Sequence, residues 1–234
     1  MKRTLPLMIL LVVVLTACTT TVQPTEPVAP TIEIPAAAPG LAVTKTLTVT
    51  TAAPAGVVTF NIVPAESKVT YEVGETFFNQ NNRFNLAVGV TQTLSGSIFA
   101  DLNNPPASRI GLVEVDISQF KSDSTRRDNA IRGDWLESTR FPIATFESAT
   151  IEGLPESYLE GQDYTLKVTG NLTVRDVTLP VTFEVTTRLS GDTLTGSAVT
   201  TILLSDFGVG PISIAGILKT KDTAKITLEL VARP

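Results

Sequence analysis

The chain has 234 residues, 43% of them hydrophobic, with one cysteine and a formal net charge of −5. It contains no histidine, which removes the commonest general base, the commonest transition-metal ligand and the side chain that titrates near neutrality. A Ser-His-Asp triad and a His-ligated zinc are excluded, and the scattered basic residues speak against nucleic acid.

The N-terminus, MKRTLPLMILLVVVLTAC, puts Lys2 and Arg3 before an apolar run over 5–15. That is a positive n-region with an h-region too short to span a bilayer comfortably. It ends in Leu15-Thr16-Ala17-Cys18, which resembles a bacterial lipobox. The resemblance implies a signal peptide over 1–17 and a lipid anchor on Cys18. The protein is then expected to be exported and held on the periplasmic or cell-surface side of a bacterial membrane. The alternative is an ordinary signal peptide with a cysteine near its cleavage site. With Cys18 used as the anchor, the domain has no thiol for a disulfide, a metal or a nucleophile. Any enzyme built from it would rely on Asp, Glu, Ser, Tyr or Lys alone. The expectation is a protein that is not an enzyme and needs no cofactor and no metal.

Residues 18–56 read as the lipidated cysteine and a tether rich in Thr, Pro and Ala. Proline removes backbone donors and favours extended polyproline conformation, so no packed core is expected there. Such a tether spans roughly 35 Å as a coil and about 115 Å when extended. Residues 41–50 (LAVTKTLTVT) alternate and are a candidate isolated strand.

From residue 57 to 234 the pattern changes to short alternating runs. VVTFNIV (57–63) and KVTYEV (68–73) flank a turn at Pro64. GETFFNQNN (74–82) reads as a polar loop carrying Phe77 and Phe78. RFNLAVGV (83–90) and SIFADL (97–102) are strands, and NNPPAS (103–108) is a loop because of its prolines. Residues 109–118 read as one strand with Val113, Val115 and Ile117 inward. Residues 125–137 carry Ala130, Ile131, Trp135 and Leu136 at roughly helical spacing, with a break expected at Gly133. Strands follow at 142–151, at 163–175 with a bend at Gly170, at 178–189, at 194–204 and at 223–232. Asp176 sits in a turn and 205–211 form a Gly/Pro loop.

About eight or nine strands with one wet face each imply antiparallel sheet. A sandwich and a closed barrel both fit this pattern. A barrel of about eight strands is either filled by side chains or holds one small ligand. Several residues carry two readings. Arg127 and Asp128 either orient a polar ligand head or tie the helical insert to the body. Trp135, Phe141 and Phe146 either line a tunnel or plug a core. Phe77 and Phe78 either face a mouth or fold back with their loop.

Three blocks resemble the YceI-like, polyisoprenoid-binding, lipocalin-like barrel family of bacteria. The first runs from Arg127-Asp128 through Ile131-Arg132, Asp134-Trp135-Leu136 and Phe141-Pro142 to Thr145-Phe146-Glu147-Ser148. The second is Gly170-Asn171-Leu172-Thr173-Val174-Arg175-Asp176-Val177-Thr178-Leu179-Pro180-Val181, and the third is Asp206-Phe207-Gly208. Their order and spacing cover the chain from about 57 to 231. The resemblance implies an all-β, antiparallel lipocalin-like β-barrel with one short helical insert and an apolar tunnel for an isoprenoid-like or acyl lipid. The residues expected at the ligand are Phe77, Phe78, Arg127, Asp128, Ile131, Trp135, Phe141, Phe146, Leu172, Phe183 and Phe207. The family pattern has a His where this chain has Ala130, a Gly where it has Asp176, and an Arg ahead of the Asp-Phe-Gly where it has only Leu203-Leu204-Ser205. Those changes leave the apolar tunnel untouched. The expected partners are a long-chain amphiphilic lipid and, through the anchor, a membrane. The competing function is a structural or protein-interaction domain with a filled barrel. Inward aromatics at every level would fill it, whereas Ala144, Gly196 and Ala198 would leave it open.

Overall fold

The computed structural model describes residues 56–234. The expected leader, Cys18, the tether up to residue 55 and the alternating 41–50 segment lie outside these residues. In chain order the strands are β1 (Val57–Ile62), β2 (Lys68–Phe77), β3 (Arg83–Thr91), β4 (Leu94–Ser95), β5 (Ser97–Asp101), β6 (Arg109–Ile110) and β7 (Val113–Asp116). A helix α1 (Thr125–Ala130) follows, then β8 (Ile143–Glu152), β9 (Asp163–Val174), β10 (Val177–Ser190), β11 (Thr193–Leu203), β12 (Ser213–Ile214) and β13 (Leu218–Arg233).

These 13 strands form one antiparallel sheet, and the count exceeds the expected eight or nine because breaks divide longer lines. β1 and β2 are separated only by a short 3-10 turn at Pro64–Glu66. Both pair with β13, Asn61 opposite Arg233 and Lys68 opposite Glu229. They are one bent line. β3 pairs with β2 and β5 pairs with β1, so the stretch from β3 to β5 is the next line. β4 and β5 pair in turn with β7 and β6. From β7 the sheet is a meander through β8, β9, β10 and β11 to β13. β13 then meets β1 and β2, so the last line closes on the first. The result is an up-and-down barrel of about eight lines, which leaves no pair of free sheet edges around the ring.

Alternation explains why these segments are strands. On β9, Leu166 and Val168 point inward and are buried while Thr165 and Lys167 face out or lie between; on β13, Ala224, Ile226, Leu228 and Leu230 are the inward set. One end of the barrel is sealed by Phe60, Leu189 and Ala232, with Val58, Tyr158 and Leu194 packed around them. The Tyr158 hydroxyl donates to the Leu189 carbonyl at 3.0 Å. A second buried cluster, including Ile62, Val69, Val113, Ile117 and Phe120, lies on the side where β2 faces the insert. Full burial of each such side chain contributes about 1.5–3 kcal/mol.

Four sequence readings are corrected. Residues 74–82 are not all loop: β2 continues through Phe77, because Glu75 and Thr76 find register partners on both β13 and β3. Only a tight turn remains, with Asn81 and Asn82 in the left-handed region at φ of 54° and 57°, a conformation asparagine tolerates. Residues 109–118 are interrupted at Gly111, whose N–H donates to the Ser97 carbonyl at 2.8 Å, and Ile117 enters a 3-10 turn capped by Asp116. The insert does not break at Gly133. It widens into a π-turn over Ile131–Trp135, closed by the Leu136 N–H on the Ile131 carbonyl at 2.7 Å. β13 starts at Leu218, not at 223, with an irregularity between Thr220 and Ala224.

Gly170 marks the bend expected in β9. The β8–β9 register slips between Ser148 and Thr150, and a Cβ at position 170 would stand 2.3 Å from the Glu147 carbonyl and 2.7 Å from Phe146 Cζ. Only glycine permits that approach. Gly170→Ala is expected to lower the unfolding free energy by about 2 kcal/mol, the usual cost of overpacking, measured by urea denaturation with an unchanged m-value.

Candidate functional site

The inward side chains of the barrel do not meet on its axis. They enclose a cavity of about 410 Å³, inside the range of roughly 300–1,000 Å³ typical of small-molecule sites. Small residues at inward positions hold it open: Ala87, Ala144, Ala198 and Ala224 all stand on its wall. Gly196 does not. The Phe60–Leu189–Ala232 seal lies at the far end. At the other end Phe77, Arg126, Ile214 and Ile217 stand on the wall. The β2–β3 turn, the start of α1 and the loop before β13 therefore surround the opening.

The insert supplies one side of this end. Ser124 caps α1 by accepting from the Arg127 N–H at 3.3 Å. Ala130, Ile131, Trp135 and Leu136 then present an apolar face to the cavity. Arg127 reaches across to β2. Its Nε donates to Glu75 Oε1 at 3.0 Å and one Nη to Oε2 at 2.9 Å, a bidentate pair. Its other Nη donates to Ser122 Oγ at 3.1 Å and to the Asp123 carboxylate. The two side chains of the main pair are 14% and 6% exposed. The hydrogen bonds it donates to Glu75, set against desolvation, hold the guanidinium still more firmly protonated than usual. Glu75 also accepts from Asn85 at 3.0 Å. The buried cation is thus answered by carboxylates of the protein itself.

Of the residues expected at the ligand, Phe77, Arg127, Ile131, Trp135, Phe146, Leu172, Phe183 and Phe207 line the cavity. Phe146 and Phe183 meet edge to face at 5.0 Å between ring centres. Phe78, Asp128 and Phe141 are not on the wall. Phe78 is 46% exposed at the rim. Asp128 is buried and turned toward Ser122, accepting from its amide at 3.0 Å and its hydroxyl at 2.6 Å. Phe141 lies beneath the Arg140 guanidinium, 4.7 Å from its ring centre. Sequence reasoning missed Tyr71 and Glu75 as wall residues. Continuing the alternation of Val69, Tyr71 and Val73 by two more steps reaches Glu75 and Phe77 and would have found them.

Other wall groups are almost all apolar; Ser124, Arg126, Thr145 and Thr220 complete the polar set. Tyr71 packs its ring against Phe120 at 5.1 Å between centres. Burial first, and the Asp128 charge second, push its phenol from the usual 10.0 up to about 12. Arg175, in the β9–β10 turn, braces the insert: it donates to the Trp135 carbonyl at 3.2 Å and to the Gly208 carbonyl at 3.1 Å, and pairs with Glu137.

A closed up-and-down barrel with one end sealed and an apolar cavity opening at the other defines a class built to enclose a hydrophobic molecule. Comparison with known proteins gives the family. A family model described as the YceI-like domain matches residues 60–232, and the chain belongs to that family. It is 30% identical over 138 residues to Protein YceI of Salmonella newport, spanning 57% of this chain and 68% of that one. The crystal structure of Burkholderia cenocepacia BcnA superposes with a TM-score of 0.56 at 25% identity, covering 73% of this chain and 98% of that one. A structure described as a polyisoprenoid binding domain from Saccharophagus degradans, implicated in plant cell wall breakdown, superposes at 0.57 with 13% identity, over 74% and 97% of the two chains. This last likeness speaks for the fold.

Two outcomes are expected. Glu75→Ala strands the Arg127 charge and is expected to cost about 3 kcal/mol, whereas Glu75→Leu with Arg127→Met costs less than Glu75→Leu or Arg127→Met alone; chemical denaturation of the four variants checks this. Because the folded phenol of Tyr71 ionises above its unfolded value, the unfolded chain loses that proton first as pH rises. Stability should fall between pH 10 and about 12 by at most about 2–3 kcal/mol. Tyr71→Phe should flatten that part of the profile in denaturation series taken across this range.

Proposed function

We propose that this protein binds one long apolar lipid, isoprenoid-like or acyl, with its chain in the barrel cavity. The observation that carries the reading is the cavity of about 410 Å³ with a wall that is apolar on every strand line. Left dry, a cavity of that size costs on the order of 10 kcal/mol at about 24 cal/mol per Å³, comparable to the whole stability of a domain. Water is a poor filler because it needs two to four polar partners, and Arg127 and Glu75 are already paired with each other. An apolar chain gains about 0.8 kcal/mol for each methylene removed from water. Binding by burial needs no charged contact.

The name of the Saccharophagus degradans neighbour supports a polyisoprenoid as the class of chain. The filled-barrel alternative is disfavoured by Ala144, Ala198 and Ala224, which stand where bulky residues would be needed. The proposal includes the N-terminal reading: export, a lipid anchor at Cys18 and a tether that keeps the barrel near the bilayer from which such a ligand comes. Its role is to carry, store or sequester the lipid and not to transform it.

The test is native mass spectrometry of protein purified without detergent, followed by organic extraction. A co-purifying lipid of defined mass is expected. Ala198→Phe, which projects a ring into the cavity, should lower the bound fraction roughly tenfold, the equivalent of 1.4 kcal/mol. Wild-type protein that is bare and takes up no offered prenol or fatty acid would refute the reading.

A further inference from the structure

We propose that the open end of the barrel is a docking surface for an anionic lipid bilayer. Exposed apolar side chains cluster at this end, while at the sealed end Leu159, beside Tyr158, is 62% exposed. Phe78 in the β2–β3 turn is 46% exposed, and Ile214 and Ile217 before β13 are 38% and 36% exposed. The Phe78 N–H donates to the Ile217 carbonyl at 2.8 Å, so the two tips form one patch. It continues onto the outer face of β3 through Phe84, 59% exposed, and Leu86, 50% exposed. Exposed apolar rims of this kind mark interaction sites.

Charge selects the occupant. Arg83, Arg126, Lys219 and Lys221 are exposed at the same end. None of the four is in an ion pair among the described residues, and Arg83 and Lys221 instead sit over the rings of Phe77 and Phe84, 5.5 and 6.0 Å from their centres. The carboxylates nearest to α1 and β2, Asp123 and Glu75, are taken by Arg127. Asp222 is occupied by Ser205, and the exposed acids of this region are Asp134 in the insert, Asp176 in the β9–β10 turn and Asp206 on the neighbouring loop. At the sealed end Arg233 pairs with Glu66 and Arg188 with Asp163, while Arg109 lies over the Phe99 ring, 3.7 Å from its centre. Apolar tips with unpaired cations beside them match the chemistry of an interface between acyl chains and anionic head groups.

Continuity with the cavity favours a bilayer over a protein partner. Phe77, Ile214 and Ile217 stand on the cavity wall, and the two isoleucines are also exposed at its rim. A lipid leaving a docked membrane would pass onto that wall without crossing water. The inference deepens the lipid-binding reading and rests on it for its purpose; its test is separate.

The experiment is hydrogen exchange by mass spectrometry on the full chain with phosphatidylglycerol-containing vesicles, pure phosphatidylcholine vesicles, and none. Slowed exchange in 77–83 and 213–218 on the anionic vesicles is expected, with the turns at 103–108 and 190–193 unchanged. Comparing two ends of one molecule makes the readout independent of how residues 1–55 meet the bilayer. Arg126→Ala and Lys219→Ala should each reduce the protection roughly fivefold, and Phe78→Ser with Ile217→Ser should abolish it. Unchanged tips on anionic vesicles, or equal slowing at both ends, would overturn the proposal. So would protection without vesicles that grows with protein concentration, the mark of a second copy. Native mass spectrometry on the same samples separates the two readings. Lipid-loaded protein with unprotected tips defeats docking alone, and bare protein with protected tips defeats cargo binding alone.

Discussion

The ion pair between Arg127 and Glu75 joins residues 52 apart in sequence and fixes where the insert meets the barrel. Taking both groups out of water is expensive, and the pair holds only because its geometry is bidentate and its remaining donors are met by Ser122 and Asp123. Two consequences follow from that single contact. The helical face carrying Ile131 and Trp135 is held against the cavity as part of its wall. The charges of Arg127 and Glu75 also cancel each other, so this pair neither attracts nor repels an ionic head group strongly. In the proposed binding mode an apolar chain is selected by burial, and Ser122, bonded to both Arg127 and Asp128, locks the arrangement from behind.

An eight-line barrel has an interior just wide enough for side chains to fill or for one small ligand. Here the choice is made by residue size at inward positions. Where Phe60, Leu189 and Ala232 meet, the interior is packed shut. Further along, alanines on β3, β8, β11 and β13 stand on the cavity wall together with Phe146 and Phe183, which pack edge to face. The packed end closes the core on itself, and the Ile62–Phe120 cluster, most of whose members also line the cavity, buries its residues against one another on one side of the hollow part.

Period-two alternation made most strands legible, because each has one wet and one buried face. The resemblance of the Arg127–Ser148, Gly170–Val181 and Asp206–Gly208 blocks made the barrel legible where alternation alone left a sandwich open. Misreadings fell where local punctuation and long-range pairing disagree. Gly74 and the asparagines after Phe78 look like a loop, yet β13 and β3 on either side recruit Glu75 and Thr76 into the sheet. A charged residue inside a strand looks like a surface group until its partner is known, and Arg127 lies in another element. The same applies to Asp128: its neighbour in sequence reaches the cavity wall, while its own carboxylate turns to Ser122.

Asp176 shows how the structure accounts for a departure from the family pattern. The pattern has glycine at that position, which suggests a turn that demands a left-handed backbone there. In this chain the left-handed residue of the β9–β10 turn is Arg175, at φ of 59°, so the change at 176 carries no such strain. The demand is displaced onto a long side chain, for which that conformation is costly. Its guanidinium offsets this by bonding the Trp135 carbonyl, the Gly208 carbonyl and the Glu137 carboxylate. Those acceptors belong to the insert and to the Asp-Phe-Gly loop, so one arginine in the hairpin binds together the three blocks by which the family was legible. Their fixed spacing along the sequence thus reflects a physical meeting at the edge of the cavity.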